Sequence, residues 1–182
     1  MYFFVTIFGL LCILLFIINL RNEYADRKVL ARRAFGNTEI IAYDGCDTQK
    51  EGEYHYPIRS TEYTCGRRPR FSRLKADITA PGEDRYLSSQ AALFFINNEG
   101  FYIKRKNQSE IWIKDNEGNI FLLGKEDGKK HTIPEYFTSV LQKEPTYEHK
   151  GDSIILQPGY KIIMGKTLFE YNYSKENNNH AQ

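Results

Sequence analysis

Between Cys65 and Ile96 the chain reads CGRRPRFSRLKADITAPGEDRYLSSQAALFFI, and this stretch gathers the side chains best suited to holding an anion. Gly66-Arg67 ends one strand-like segment, Ser88-Ser89 leads into another, and Arg68, Arg70, Arg73 and Lys75 lie between them. No acid occurs from residue 66 to residue 76. A phosphate dianion is held best by a fixed guanidinium fork with neutral donors beside it, because charge-assisted hydrogen bonds are the strong ones. Arg67, Ser88 and Ser89 are therefore the candidate binding residues. Arg68, Arg70 and Arg85, with Gln108 and Ser109 from a later corner, are auxiliary candidates. A solvated basic loop near an acidic membrane would show the same arginines, and Glu110 would repel a phosphate if it pointed inward.

Other chemistries find no support in residue spacing. His55, His131, His149 and His180 are scattered, without the paired spacing of a zinc site. Asp115-Asn116-Glu117-Gly118 lacks the spaced carboxylates and terminal Glu of a calcium loop. Gly124-Lys125 lacks the rest of a P-loop, and Ser88-Ser89 has no Gly-x-Ser-x-Gly context. No enzymatic function, cofactor or metal is expected. A formal net charge of +2 argues against nucleic acid as a partner. Trp112, in Ile-Trp-Ile, reads as core. Cys46 and Cys65 are left as either thiols or a disulfide pair, and a reducing compartment is the simpler reading.

Two kinds of element must position these residues. The first is the uncharged run Tyr2–Leu20, nineteen residues, which as a helix would be about 28 Å long against a hydrocarbon core of about 30 Å. No positive side chain precedes it and Asn-Leu-Arg-Asn-Glu follows, so an uncleaved anchor over residues 1–20 fits better than a cleaved signal. Arg21, Arg27, Lys28, Arg32 and Arg33 all follow the run, which places the N-terminus outside and the remainder in the cytoplasm. Residues 21–36 read as a basic juxtamembrane helix or linker ended by Gly36-Asn37.

The second kind is the strand. Short runs rich in Tyr, Phe and Ile alternate with Gly, Asn and Asp turns across residues 37–174, and aromatic content is 14%. Strands are expected at Thr38–Tyr43, Glu53–Ile58 (an edge, because of Pro57), Thr61–Cys65, Ala76–Thr79, Ala91–Ile96, Phe101–Arg105, Ile111–Ile113, Asn119–Leu122, Ser153–Gln157, Lys161–Met164 and Thr167–Tyr173. The region 124–150 is weakly patterned, and Ile133–Leu141 reads as a short helix or a docking loop. Residues 175–182 read as a frayed, disordered tail. The expected fold class is all-β: an antiparallel β-sandwich of about ten to eleven strands preceded by one transmembrane helix.

Gly66-Arg67, Asp77-Ile78, Leu87-Ser88, Ala92 and Gly151-Asp152-Ser153-Ile154, in this order along Glu39 to Tyr173, resemble the motif series of forkhead-associated (FHA) domains. Members of that family are β-sandwiches that bind phosphothreonine peptides with loops at one end. The resemblance implies that Arg67 and Ser88 contact the phosphate. The chain departs from the family pattern in three places. Ser89 stands where the family has Arg, Ala91 stands where it has His, and Asn107–Glu110 lacks the Asn-Gly-Thr corner. The implied function is a membrane-tethered cytoplasmic module that recruits or scaffolds partner proteins. In bacteria the resemblance implies service beside Ser/Thr kinases and near cell-wall or division machinery. The expected partner is a phosphorylated or unphosphorylated, membrane-associated protein, with lipid contacted by residues 1–20. Phospho-independent contacts in a membrane complex are one alternative. An exported envelope β-domain with an uncleaved signal anchor is the other.

Overall fold

The computed structural model describes residues 2–43, 52–67, 76–80, 84–138 and 146–174. A helix, α1 (Tyr2–Phe35), leads into β1 (Thr38–Tyr43). The Thr38 hydroxyl donates to the Phe35 carbonyl at 2.7 Å, satisfying one of the carbonyls left open where a helix ends. Phe35 then packs on the sandwich, its ring centroid 6.1 Å from that of Phe101.

Eleven further strands follow among the described residues: β2 (Glu53–Pro57), β3 (Glu62–Arg67), β4 (Ile78–Ala80), β5 (Ala92–Ile96), β6 (Phe101–Arg105), β7 (Ile111–Lys114), β8 (Ile120–Leu123), β9 (Tyr147–Lys150), β10 (Ser153–Leu156), β11 (Lys161–Met164) and β12 (Thr167–Tyr173). They form a seven-stranded sheet, β2-β1-β12-β11-β7-β8-β9, and a five-stranded sheet, β10-β6-β5-β3-β4. β2 lies at an edge, where Pro57 removes no ladder donor from the interior. Alternation sets the core. Ala92 and Phe94 of β5 and Phe101 and Ile103 of β6 point inward from one sheet, and Ile40, Ile113, Ile162 and Phe169 meet them from the other.

β1 is buried at all six positions, so its sheet is covered on both faces. Ile41 and Tyr43 turn outward into a second apolar cluster with Trp112, Ile120, Leu122, Ile163 and Leu168. The weakly patterned insertion provides the cover. Its short helix α2 (Glu135–Thr138) places Phe137 at 0% exposure in that cluster, a burial that contributes about 2–3 kcal/mol. Of the two expectations for residues 133–141, the described part shows the short helix, packed on the sheet through Phe137.

The expected all-antiparallel sandwich is corrected in two respects. Twelve strands are present, and two pairings are parallel: β3 with β4, and β8 with β9. Parallel neighbours cannot be joined by a tight hairpin. The basic loop after β3 and the insertion after β8 are the long connections these pairs require. β9 is not marked in the sequence because Tyr-Glu-His-Lys has no apolar alternation.

The expected anchor is also qualified. Among the described residues no helix is long and apolar enough to cross a membrane. The side chains of residues 2–8 lie outside the described residues. The described apolar portion of the run, Gly9–Leu20, spans about 18 Å. All of it is exposed, with Leu10, Ile13, Leu14, Phe16 and Ile17 each more than half so. Cys46 and residues 175–182 lie outside the described residues, and Cys65 is a buried free thiol.

Candidate functional site

Gly66 decides the local geometry. A Cβ there would lie 2.5 Å from the Ser89 carbonyl carbon and 2.7 Å from the Ser88 carbonyl oxygen, both backbone atoms. Glycine therefore lets the Ser88-Ser89 turn lie directly on β3. Two bonds fix it there: Arg67 N–H donates to the Ser88 carbonyl at 3.0 Å, and Ala91 N–H donates to the Cys65 carbonyl at 2.8 Å. Arg67 and Ser88 thereby become neighbours across twenty-one positions of chain. Asp77 steadies the same strand end, its carboxylate accepting from Thr64 N–H at 2.7 Å and from the Thr64 hydroxyl at 2.8 Å.

The loop before Ser88 is organised by Asp84. One carboxylate oxygen accepts from Tyr86 N–H at 2.9 Å, an Asx turn. The other accepts from Lys166 N–H at 2.7 Å and from the Thr167 hydroxyl at 2.9 Å. Leu87, 2% exposed, plugs the loop into the core.

The β6–β7 corner supplies the next wall. Asn107 takes a left-handed conformation (φ 58°), and its side-chain amide donates to the Gln90 carbonyl at 3.0 Å. Lys106 N–H donates to the Ala91 carbonyl at 2.8 Å. The corner is thus tied to the serine turn by backbone and side chain together. Glu110 closes it, and its carboxylate lies 2.8 Å from His131 Nδ1, while His131 Nε2 lies 3.0 Å from Asp127. The bonds to Asp127 and Glu110 push the His131 pKa above its ordinary value. Asp127 is held below the usual carboxylate range by the Lys129 backbone N–H and by His131. His131 thus bridges the two carboxylates, and both contacts favour its protonated form.

These walls enclose a cleft of about 790 Å³ at one end of the sandwich. Of the residues expected from the sequence, Arg67, Ser88, Arg85, Gln108 and Ser109 line it together. Ser89 does not. Its carbonyl is pressed against Gly66 and its side chain faces solvent outside the cleft, because the turn that seats Ser88 points the next residue away. Arg68 and Arg70, with Arg73 and Lys75, lie outside the described residues. Gly151-Asp152 works at a distance from the cleft, pairing β10 to β6 through Arg105 N–H to the Asp152 carbonyl at 2.8 Å.

Sequence reasoning missed Tyr86, Thr132, Pro134 and Lys166, which also line the cleft. Trp112 is core, at 3% exposure, and forms part of the cleft wall as well. Thr132 and Pro134 come from the insertion and Lys166 from the β11–β12 turn, so only the assembled sheets bring them near Arg67. A second cleft of about 810 Å³ shares Gln108, Glu110 and Thr132 with the first and has His131 in its wall. Among the described residues no group of His, Cys, Asp and Glu is placed to hold a metal ion.

No family model matches the chain, and no curated protein matches it. Solved structures similar to it include the yeast Pml1 splicing factor, at 16% identity over 82% of this chain and 88% of that one, TM-score 0.48. The FHA domain of an Arabidopsis thaliana hypothetical protein is similar at 12% identity over 78% and 90%, TM-score 0.44. The FHA domain of the CT664 protein from Chlamydia trachomatis is similar at 14% identity over 74% and 96%, TM-score 0.39.

Proposed function

We propose that this chain is a membrane-tethered, FHA-like module that recruits partner proteins by seating a phosphothreonine peptide in the cleft beside Arg67. The observation that carries the reading is convergence. A guanidinium from β3, a hydroxyl from the serine turn and two neutral donors from the β6–β7 corner line one open cleft. Arg67 offers a planar fork to two phosphate oxygens, and Ser88, Gln108 and Ser109 offer uncharged donors to the phosphate and the peptide backbone. Arg85 adds positive field. The acid in the wall, Glu110, is engaged by His131.

The tether is supported by the uncharged run Tyr2–Leu20, by the exposed apolar surface of its described part, and by the basic residues that follow it. This reading puts the β-domain in the cytoplasm. Confinement at a membrane raises the effective concentration towards other membrane proteins, which lets a weak module function. Service in a Ser/Thr-kinase or cell-envelope setting belongs to the same proposal.

A second reading, phospho-independent contact, is favoured by one observation. The Asn107 side-chain amide already donates to the Gln90 carbonyl of the same chain. The test is a titration of the full chain in lipid nanodiscs with matched phosphothreonine and unphosphorylated peptide libraries. Preference for phosphorylated peptides, lost in Arg67→Ala, is the expected result. Equal binding of both forms, unaffected by Arg67→Ala, overturns it in favour of the second reading. A C-terminal reporter fusion tests the topology, and activity on the outer side of the membrane would reverse the assignment.

A further inference from the structure

We infer that Lys166 binds the phosphate alongside Arg67, meeting it from the opposite sheet, with Arg85 the further cation in the lining. The inference rests on the phosphopeptide reading above and adds a residue to it. Arg67 lies at the end of the five-stranded sheet and Lys166 on the turn between β11 and β12 of the seven-stranded sheet, yet both line one cleft.

The turn is bolted in place. Gly165 has φ 62°, and a Cβ there would lie 2.6 Å from the Asp84 carboxylate and 3.0 Å from Leu87 N, so the two loops touch. Asp84 then binds Lys166 N–H and the Thr167 hydroxyl through one oxygen and Tyr86 N–H through the other. The loop that delivers Ser88 and the turn that delivers Lys166 are therefore one rigid unit. The Lys166 ammonium sits 4.7 Å from the centroid of the Tyr86 ring, a cation–π contact that limits where the amine can swing.

The chemistry is complementary. A guanidinium fork satisfies two oxygens of a phosphate in one plane, whereas an ammonium is a compact point charge with three donors that can reach a third. Two cations also discriminate by charge. A phosphate near −2 profits from both, and a carboxylate at −1 gains much less from the second. Lys166 is thus a specificity residue for phosphate over an acidic side chain, and Asp84 and Tyr86 position it.

The experiment measures peptide affinity of the full chain in nanodiscs for Lys166→Gln, Lys166→Arg, Asp84→Asn and Arg67→Ala. The probes are a phosphothreonine peptide and the same peptide with glutamate in place of phosphothreonine. The anchoring bond to Asp84 uses the Lys166 backbone N–H, so Lys166→Gln leaves the turn seated, and unchanged thermal melting checks this. Lys166→Gln is expected to weaken phosphopeptide binding roughly tenfold, as loss of a charge-assisted bond does. It should change binding of the glutamate peptide far less and flatten the salt dependence. Lys166→Arg should retain most of the affinity, and Asp84→Asn should weaken it with the cation still present. Wild-type phosphopeptide binding that falls with Arg67→Ala but not with Lys166→Gln overturns the inference and leaves the proposed function standing. A wild-type chain with no preference for the phosphopeptide overturns both.

Discussion

Gly66→Ala is the most direct perturbation of the site's foundation, and its cost can be worked from distances. The added methyl would sit inside 3.0 Å of three backbone atoms of Ser88 and Ser89, closer than real Cβ atoms come. None of these is the movable end of a side chain, so the serine turn must lift off β3. Lifting it strains or breaks the bonds from Arg67 N–H to Ser88 and from Ala91 N–H to Cys65, each contributing about 1 kcal/mol. Overpacking adds about 1–3 kcal/mol. The expected loss is about 3–5 kcal/mol of stability, or roughly 6–20 °C in Tm for a domain of this size. Trp112 is the single tryptophan and is buried in the cleft wall, so its fluorescence reports melting of this end of the molecule directly. Phosphopeptide affinity should fall as well, because Arg67 and Ser88 are driven apart. A variant that melts with wild type would refute the placement of the serine turn on β3, and with it the geometry of the cleft.

Other outcomes follow from the same contacts. Phe137→Ala should cost about 3–5 kcal/mol, because a fully buried aromatic is removed from the second cluster; urea unfolding measures this, and a red shift of Trp112 emission should accompany it. Asp77→Ala removes two bonds to Thr64 and leaves that strand end unsupported, a loss of about 1–2 kcal/mol by the same measurement. The pH dependence of His131→Gln has a definite sign. The folded pKa of His131 is raised, so its contribution is full below the unfolded value of about 6.5 and is lost as pH rises through the folded pKa. Asp127 is lowered, so its contribution is present above about pH 3.9 and is lost as pH falls through its folded pKa. The Tm difference between wild type and His131→Gln should therefore be largest between about pH 4 and 6.5 and shrink on the alkaline side. A difference that grows with pH would refute the assignment of His131 as the charged partner.

Much of the fold was legible because it is written locally. Period-two apolar runs such as Phe101-Tyr102-Ile103 mark their inward faces without knowledge of any partner. Turn residues name their own geometry, as Asn97 does by accepting from Glu99 and Gly100 N–H at 2.8 and 3.1 Å. β9 and the outward cluster around Phe137 were not legible, because a parallel edge strand and a covered outer sheet face leave no periodic mark of their own. The region 124–150 is weakly patterned for the same reason.

Residue types and spacing alone show which side chains could hold an anion, that Gly66 precedes Arg67, and that a nineteen-residue uncharged run precedes the sandwich. Which of those residues meet is a matter of the assembled fold. It brings Arg67, Ser88, Gln108 and Ser109 to one cleft, turns Ser89 away, and adds Lys166 from a turn nearly a hundred residues downstream of Arg67. The physical reason is that a residue's type and neighbours fix its local conformation. Proximity across a sandwich depends instead on strand order and on which sheet each strand joins, and these are settled by burial of the whole core at once.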